Sequence, residues 1–237
     1  MPESQKNILF RNAANVVSIL GVLPLCILFW EHGYRYLIPL IVYNNIMDDL
    51  DGVLAGKLGI KSDFGAMLDN VCDAISHPIF VLVIGMYYFQ QADNALVGGA
   101  CLAGSLVATV AIILRSVTRL DPASPPGTGS PTNELIRHIL FVIIVSELFE
   151  FDSTPFLIAT FLMHAVTMLI PVRMPYLIRS LSKSVGAIGL VNVALIVAWL
   201  VPYLAPVIAA AFIGTYFLSM LTSGIGWLKP VDAETSP

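Results

Sequence analysis

Long apolar runs separated by short polar joints dominate this chain. Eight runs are long enough to be read as helices of a membrane span. They fall at roughly 12–30, 35–57, 64–89, 95–115, 134–149, 154–171, 184–203 and 205–226. A helix crossing the hydrocarbon needs about 20 apolar residues, and a shorter one can be accommodated by tilt or local thinning. Glu147, Glu150 and Asp152 crowd the joint between the fifth and sixth runs, and Pro202 and Pro206 bracket the tight turn between the last two. No internal repeat or composition break divides the chain. The expected fold is therefore all-α: a polytopic transmembrane bundle of about eight spans, forming one integral membrane domain over residues 1–237.

Composition agrees with this pattern. Of 237 residues only 12% are charged, and the mean hydropathy is +0.83. These values exclude disorder and argue against an ordinary soluble domain. The net charge of −4 says less than where the charges fall. With the N-terminus inside, Lys6, Arg11, Lys57, Lys61, Arg115, Arg119, Arg137, Arg173, Arg179, Lys183 and Lys229 all lie on the cytoplasmic side, and only Arg35 lies outside. This asymmetry predicts that both termini face the cytoplasm. Cys26, Cys72 and Cys101 sit in apolar runs without metal-ligand spacing and read as small hydrophobes. The opening MPESQKNILFRN is not expected to be a cleavable signal.

One stretch breaks the apolar rule. Asp48, Asp49, Asp51, Asp69 and Asp73 occur in the second and third runs. An ionised carboxylate in hydrocarbon is costly and usually marks a site. On a helix, residues three and four apart share a face. Asp48, Asp51, Gly52 and Ala55 form one stripe; Gly65, Asp69, Asp73 and Ser76 form another on the next helix. Asp49 points about 100° away from Asp48 and is expected to leave the cluster. Asp51 and Asp69 should lie at similar depth, with Asp48 and Asp73 a turn deeper, in a pocket open to the cytoplasm. Four such carboxylates need countercharge, and neither span carries a basic residue at their depth. Hard oxygen donors suit Mg²⁺ or Mn²⁺, which commonly act on phosphates.

Other segments add less. Ser62 or Asp63 can cap the third helix. The first dozen residues read equally as an interfacial helix or a basic flank. The Pro/Gly/Ser-rich segment 121–133 lacks the Gly-Lys-Ser/Thr of a phosphate loop and reads as a connector, unless Arg115, Arg119 and Arg137 turn inward. Arg173, Arg179 and Lys183 are expected at lipid headgroups. His77 and His164 are expected to be packed or hydrogen-bonded.

The pattern Asp48-x-x-Asp51-Gly52-x-x-Ala55, followed by Gly65-x-x-x-Asp69-x-x-x-Asp73, resembles the signature of the CDP-alcohol phosphatidyltransferases. The opening NAANVVSILGVLPL, with Asn15 and Ser18, is loosely similar to that family's first helix. The resemblance implies transfer of a phosphatidyl group from CDP-diacylglycerol to a small hydroxyl acceptor with release of CMP, in the inner membrane at its cytoplasmic face. It implies Asp48, Asp51, Asp69 and Asp73 as ligands of Mg²⁺ or Mn²⁺, and Asp73 also as the base. Gly52, Ala55 and Gly65 would shape the nucleotide site, and a homodimer is implied. The family usually has Arg after the Ala; here Gly56 stands there, and Lys57 follows as a substitute cation for the nucleotide. LDNVCDAIS before a Pro is similar to phosphatidylserine and phosphatidylcholine synthases and favours an amino alcohol. Ser76, Arg115 and Arg119 are the expected acceptor-binding residues. Membrane lipids are expected partners and nucleic acid is not.

Two other readings stay open on the residues. One is a catalytically impaired relative, because of Gly56. The other is an ion or proton carrier using the aspartates, although the acids lie toward one side only and no second half mirrors them.

Overall fold

The computed structural model describes residues 10, 12–120, 130–170 and 185–228, with side chains to 222. The described residues form eight α-helices and no strand. They are α1 (Ala13–Val22), α2 (Leu37–Lys57), α3 (Asp63–Gln91), α4 (Ala95–Leu120), α5 (Thr132–Phe149), α6 (Thr154–Leu169), α7 (Val185–Leu200) and α8 (Ala205–Leu228). The all-helical expectation holds, and most boundaries fall within a few residues of the apolar runs. The first run departs from a plain span: after Val22 it tightens into a 3₁₀ helix, Leu23–Phe29, with Pro24 in its first turn. Pro lacks the N–H that would continue the α-helical ladder. The fourth run reaches Leu120, so Arg115 and Arg119 belong to helix rather than loop.

Three segments are long and apolar enough to cross a membrane by themselves: Asp63–Gln91, Ala95–Leu120 and Pro202–Thr222. Ala13–Phe29, Thr154–Leu169 and Val185–Leu200 are shorter apolar segments. α2 has the length of a span, but its aspartates lower its hydropathy. The protein is an integral membrane protein.

The core runs through the middle of the bundle. Phe80 and Ile84 of α3, Ala108 and Ile112 of α4, Leu135, Ile139 and Leu140 of α5, and Leu157 and Phe161 of α6 are fully buried. α4 has an opposite, exposed face of Leu106, Val107, Val110, Ile113, Leu114 and Val117, which suits contact with lipid tails. Helices in lipid gain little from apolar burial against one another, so close backbone approach matters more. Gly85 of α3 shows this: a Cβ there would lie 2.5 Å from Ser105 Cβ of α4. α3 and α4 are the most extensively packed pair.

Two polar ends fix the register. At one end Tyr34 stacks on Tyr87 with centroids 3.5 Å apart, and Ser153 Oγ donates to Tyr88 Oη at 2.8 Å. At the other, Ser130 N donates to Thr167 O at 2.9 Å, tying the start of α5 to the end of α6. Lys57, Lys61, Arg115, Arg119 and Arg137 belong to this second end, whereas Arg35 belongs to the first. Between them His138 Nδ1 and His164 Nε2 are 2.8 Å apart, and Tyr216 Oη and Thr167 Oγ1 are 2.6 Å apart. His164 is thus a hydrogen-bonded interior histidine, as expected. Lys6, Arg11, Arg173, Arg179, Lys183, Lys229 and most of the 121–133 segment lie outside the described residues.

Candidate active site

α2 and α3 are joined by a compact reversal. α2 ends at Lys57 with Gly59 in the left-handed conformation, φ +66°. Gly59 N donates to Gly56 O at 3.4 Å and Ile60 N to Ala55 O at 3.1 Å. This is a Schellman ending, which glycine supports because it has no Cβ. Ser62 then caps α3, its Oγ accepting from Gly65 N at 3.0 Å. Of the two capping residues expected, Ser62 takes the role and Asp63 begins the helix.

α2 and α3 touch each other little; α1 packs along α2 and, to a lesser extent, α3. The gap leaves a cavity of about 260 Å³ lined by Ala14, Asn15, Ser18, Asp51, Gly52, Ala55, Ile60, Lys61, Ser62, Gly65, Ala66 and Asp69. Small residues make that volume. A Cβ on Gly52 would meet nothing within 4 Å, whereas one on Gly65 would lie 3.2 Å from Asn15 Oδ1 and from Ser62 Oγ. The structure therefore brings Asp51, Asp69, Gly52, Ala55 and Gly65 to one cavity. Lys57 is exposed and does not line it.

Asp48 and Asp73 are also outside this lining but near it. Asp73 is within electrostatic reach of Asp48, Asp69 and Asp51, and Asp48 is within reach of Asp69. Two of the carboxylates have neutral donors. Ser18 Oγ donates to Asp51, and Asn133 Nδ2 donates to Asp48 at 2.8 Å. One turn along α3, His77 Nε2 lies 3.6 Å from Asp73 Oδ1. Ser76 is buried, and its Oγ has no hydrogen-bond partner among the described residues.

Countercharge comes from outside the two acidic helices. α2 and α3 carry no cation at this depth, but neighbouring helices supply two. Arg119 of α4 is within electrostatic reach of Asp73, and Arg137 of α5 of Asp48 and Asp49. Arg115 and Arg137 are buried, so both turn inward. Sequence patterns within single spans could not show this, because these guanidinium groups enter from other helices.

Asp49 takes another direction. Asn192 Nδ2 of α7 donates to its Oδ2 at 2.7 Å, and Asn45 Nδ2 at 3.2 Å. Asn45 Nδ2 also bonds Asn192 Oδ1 at 2.8 Å, while its Oδ1 accepts from Arg137 Nε at 2.9 Å. Arg137 is paired in turn with Glu134 at 2.9 Å. Asn45, Asn133, Glu134, Arg137, His77 and Asn192 were not singled out by the motif. His77, four residues beyond Asp73, and Arg137, weighed with Arg115 and Arg119, had a sequence signal; the other four had none.

The donor set fits a hard divalent cation in charge and chemistry, with four carboxylates from two helices within mutual reach. Among the described residues, however, no three His, Cys, Asp or Glu side chains are gathered closely enough to hold one. Asp51 is turned to Ser18 and Asp48 to Asn133, so ligation would redirect these carboxylates.

A model of the CDP-alcohol phosphatidyltransferase family matches residues 11–172, well over half of the chain. The chain belongs to that family. It is similar to the CDP-diacylglycerol–serine O-phosphatidyltransferase of Methanocaldococcus jannaschii, with 38% identity over 69 residues, covering 28% of this chain and 34% of that protein. It is also similar to an uncharacterized protein of Aquifex aeolicus, with 33% identity over 55 residues, covering 23% of this chain and 28% of that protein. The chain thus spans about a third of the length of the curated relatives it matches.

Proposed function

We propose that this protein transfers the phosphatidyl group of CDP-diacylglycerol to the hydroxyl of a small alcohol and releases CMP. The observation that carries this reading is the cavity between α1, α2 and α3. It joins two motif carboxylates, Asp51 and Asp69, to a wall thinned by Gly52, Ala55 and Gly65. Such a wall suits a nucleotide, because a larger side chain would occupy its volume.

In the reaction the acceptor oxygen forms a bond to the phosphatidyl phosphorus. The phosphoanhydride bond to CMP breaks, and CMP leaves with the bonding electron pair. Asp73 takes the acceptor's hydroxyl proton. Bound Mg²⁺ or Mn²⁺ would neutralise the diphosphate and the departing CMP. Asp48, Asp51, Asp69 and Asp73 would hold it. Arg119 and Arg115 line the acceptor side with Ser76. His77 positions Asp73, and Asn133 positions Asp48. An amino alcohol such as serine or choline is the favoured acceptor. Serine draws added support from the name of the Methanocaldococcus relative.

The active site faces the cytoplasm from the inner membrane, in a homodimer. The cationic end of the bundle supports this orientation. A cysteine introduced between Lys57 and Ser62 should label from the cytoplasm, and labelling from outside would reverse the topology.

The deciding experiment supplies purified protein with CDP-diacylglycerol, Mg²⁺ or Mn²⁺, and a panel of alcohols. Metal-dependent CMP release, lost in Asp73→Asn, supports the proposal. Folded protein that neither binds CDP-diacylglycerol nor releases CMP with any acceptor would refute it.

A further inference from the structure

We propose that Lys61, whose stem lies over Gly56, is the cation that grips the diphosphate of the nucleotide-bearing substrate. This deepens the phosphatidyl-transfer reading and rests on it.

Three observations carry the assignment. Lys61 is the one cationic residue lining the 260 Å³ cavity, which it shares with Asp51 and Asp69. Among the described residues it makes no ion pair, whereas Arg137 is engaged by Glu134 and Asn45. The Schellman ending of α2 also determines where Lys61 goes. Reversal at Gly59 brings the chain back along the last turn of the helix. There the Lys61 stem passes over Gly56, and a Cβ on Gly56 would stand 3.7 Å from Lys61 Cε. A methyl group would just touch that stem, and a branched chain would occupy its path.

The chemistry defines the ligand. An ammonium has three donors and no acceptor. Beside two carboxylates it leaves the cavity with charge of both signs. A diphosphate bound alongside a divalent cation meets both needs: the carboxylates serve the cation, and the ammonium serves a phosphate oxygen. Lys57 and Lys61 are both exposed, but only Lys61 lines this cavity; Lys57 ends α2 away from it.

The test measures equilibrium binding of CDP-diacylglycerol, and of CDP as a lipid-free probe, to purified full-length protein with Mn²⁺. Losing one charge-assisted hydrogen bond should weaken binding of both in Lys61→Ala by about tenfold. Lys61→Arg should retain most of the affinity, and Gly56→Leu should weaken it as Lys61→Ala does. The melting temperature should stay unchanged in Lys61→Ala, and its turnover loss should appear in KM rather than kcat. Wild-type affinity in Lys61→Ala would overturn the assignment while leaving phosphatidyl transfer intact. Failure of the wild type to bind either probe would instead overturn the phosphatidyl-transfer reading, and this assignment with it.

Discussion

Asp49 and Asp51 are two residues apart on one helix and have opposite surroundings. Asp49 is closed in by amides from α2 and α7, in a network that Arg137 and Glu134 extend into α5. Asp51 accepts from the Ser18 hydroxyl and the Gly52 backbone N–H, and borders a cavity. A carboxylate removed from water is tolerable when neutral donors and a nearby cation satisfy it. Asp49 meets that condition within the protein. Asp51 and Asp69 instead line a cavity, and that side is where a ligand can enter. The difference separates an acid held inside the bundle by amides from acids that border a cavity.

The most severe way to break this contrast is to remove divalent cations. Chelation should abolish CMP release, and Mg²⁺ or Mn²⁺ should restore it; persistence after exhaustive chelation would show that the open carboxylates do not need a cation. Next comes Asp73→Asn. It should lower kcat by roughly 10²- to 10⁴-fold, the usual range for a lost general base, without disturbing the fold. A near-normal kcat would move the base to another group.

Gly52→Leu sharpens the comparison from the cavity side. Nothing lies within 4 Å of the new Cβ, so the helix should fold as before. The added bulk should raise KM for CDP-diacylglycerol by about tenfold, equivalent to a modest steric cost. The smallest effect on turnover belongs to the closed network. Asn192→Ala removes one donor from Asp49 and an acceptor from Asn45. It should lower stability by about 1–3 kcal/mol, read in the melting temperature, with CMP release close to wild type. A large loss of turnover with unchanged melting would place Asp49 among the reactive acids after all.

The comparison also marks how far the motif could be read. Spacing placed Asp48 and Asp51 on one stripe and Asp49 off it, because a helix turns 100° per residue regardless of its neighbours. It did not show that Asp49 would find Asn192, which is 143 residues away in sequence. The motif drew attention to Lys57 as the cation after Ala55. The structure brings Lys61 to the cavity instead, through a reversal whose direction depends on the left-handed Gly59.

By itself the sequence determined the helical membrane fold and the two acidic stripes. Both follow from local periodicity and from the cost of polar groups in hydrocarbon. Tertiary structure decided which acids remain open, because that depends on packing between distant helices. α1 holds α2 and α3 apart and creates the cavity; α4 and α5 bring Arg119 and Arg137 toward the acids; α7 closes over Asp49. A residue's periodicity determines the face it occupies, while its chemical role depends on what the fold places opposite that face.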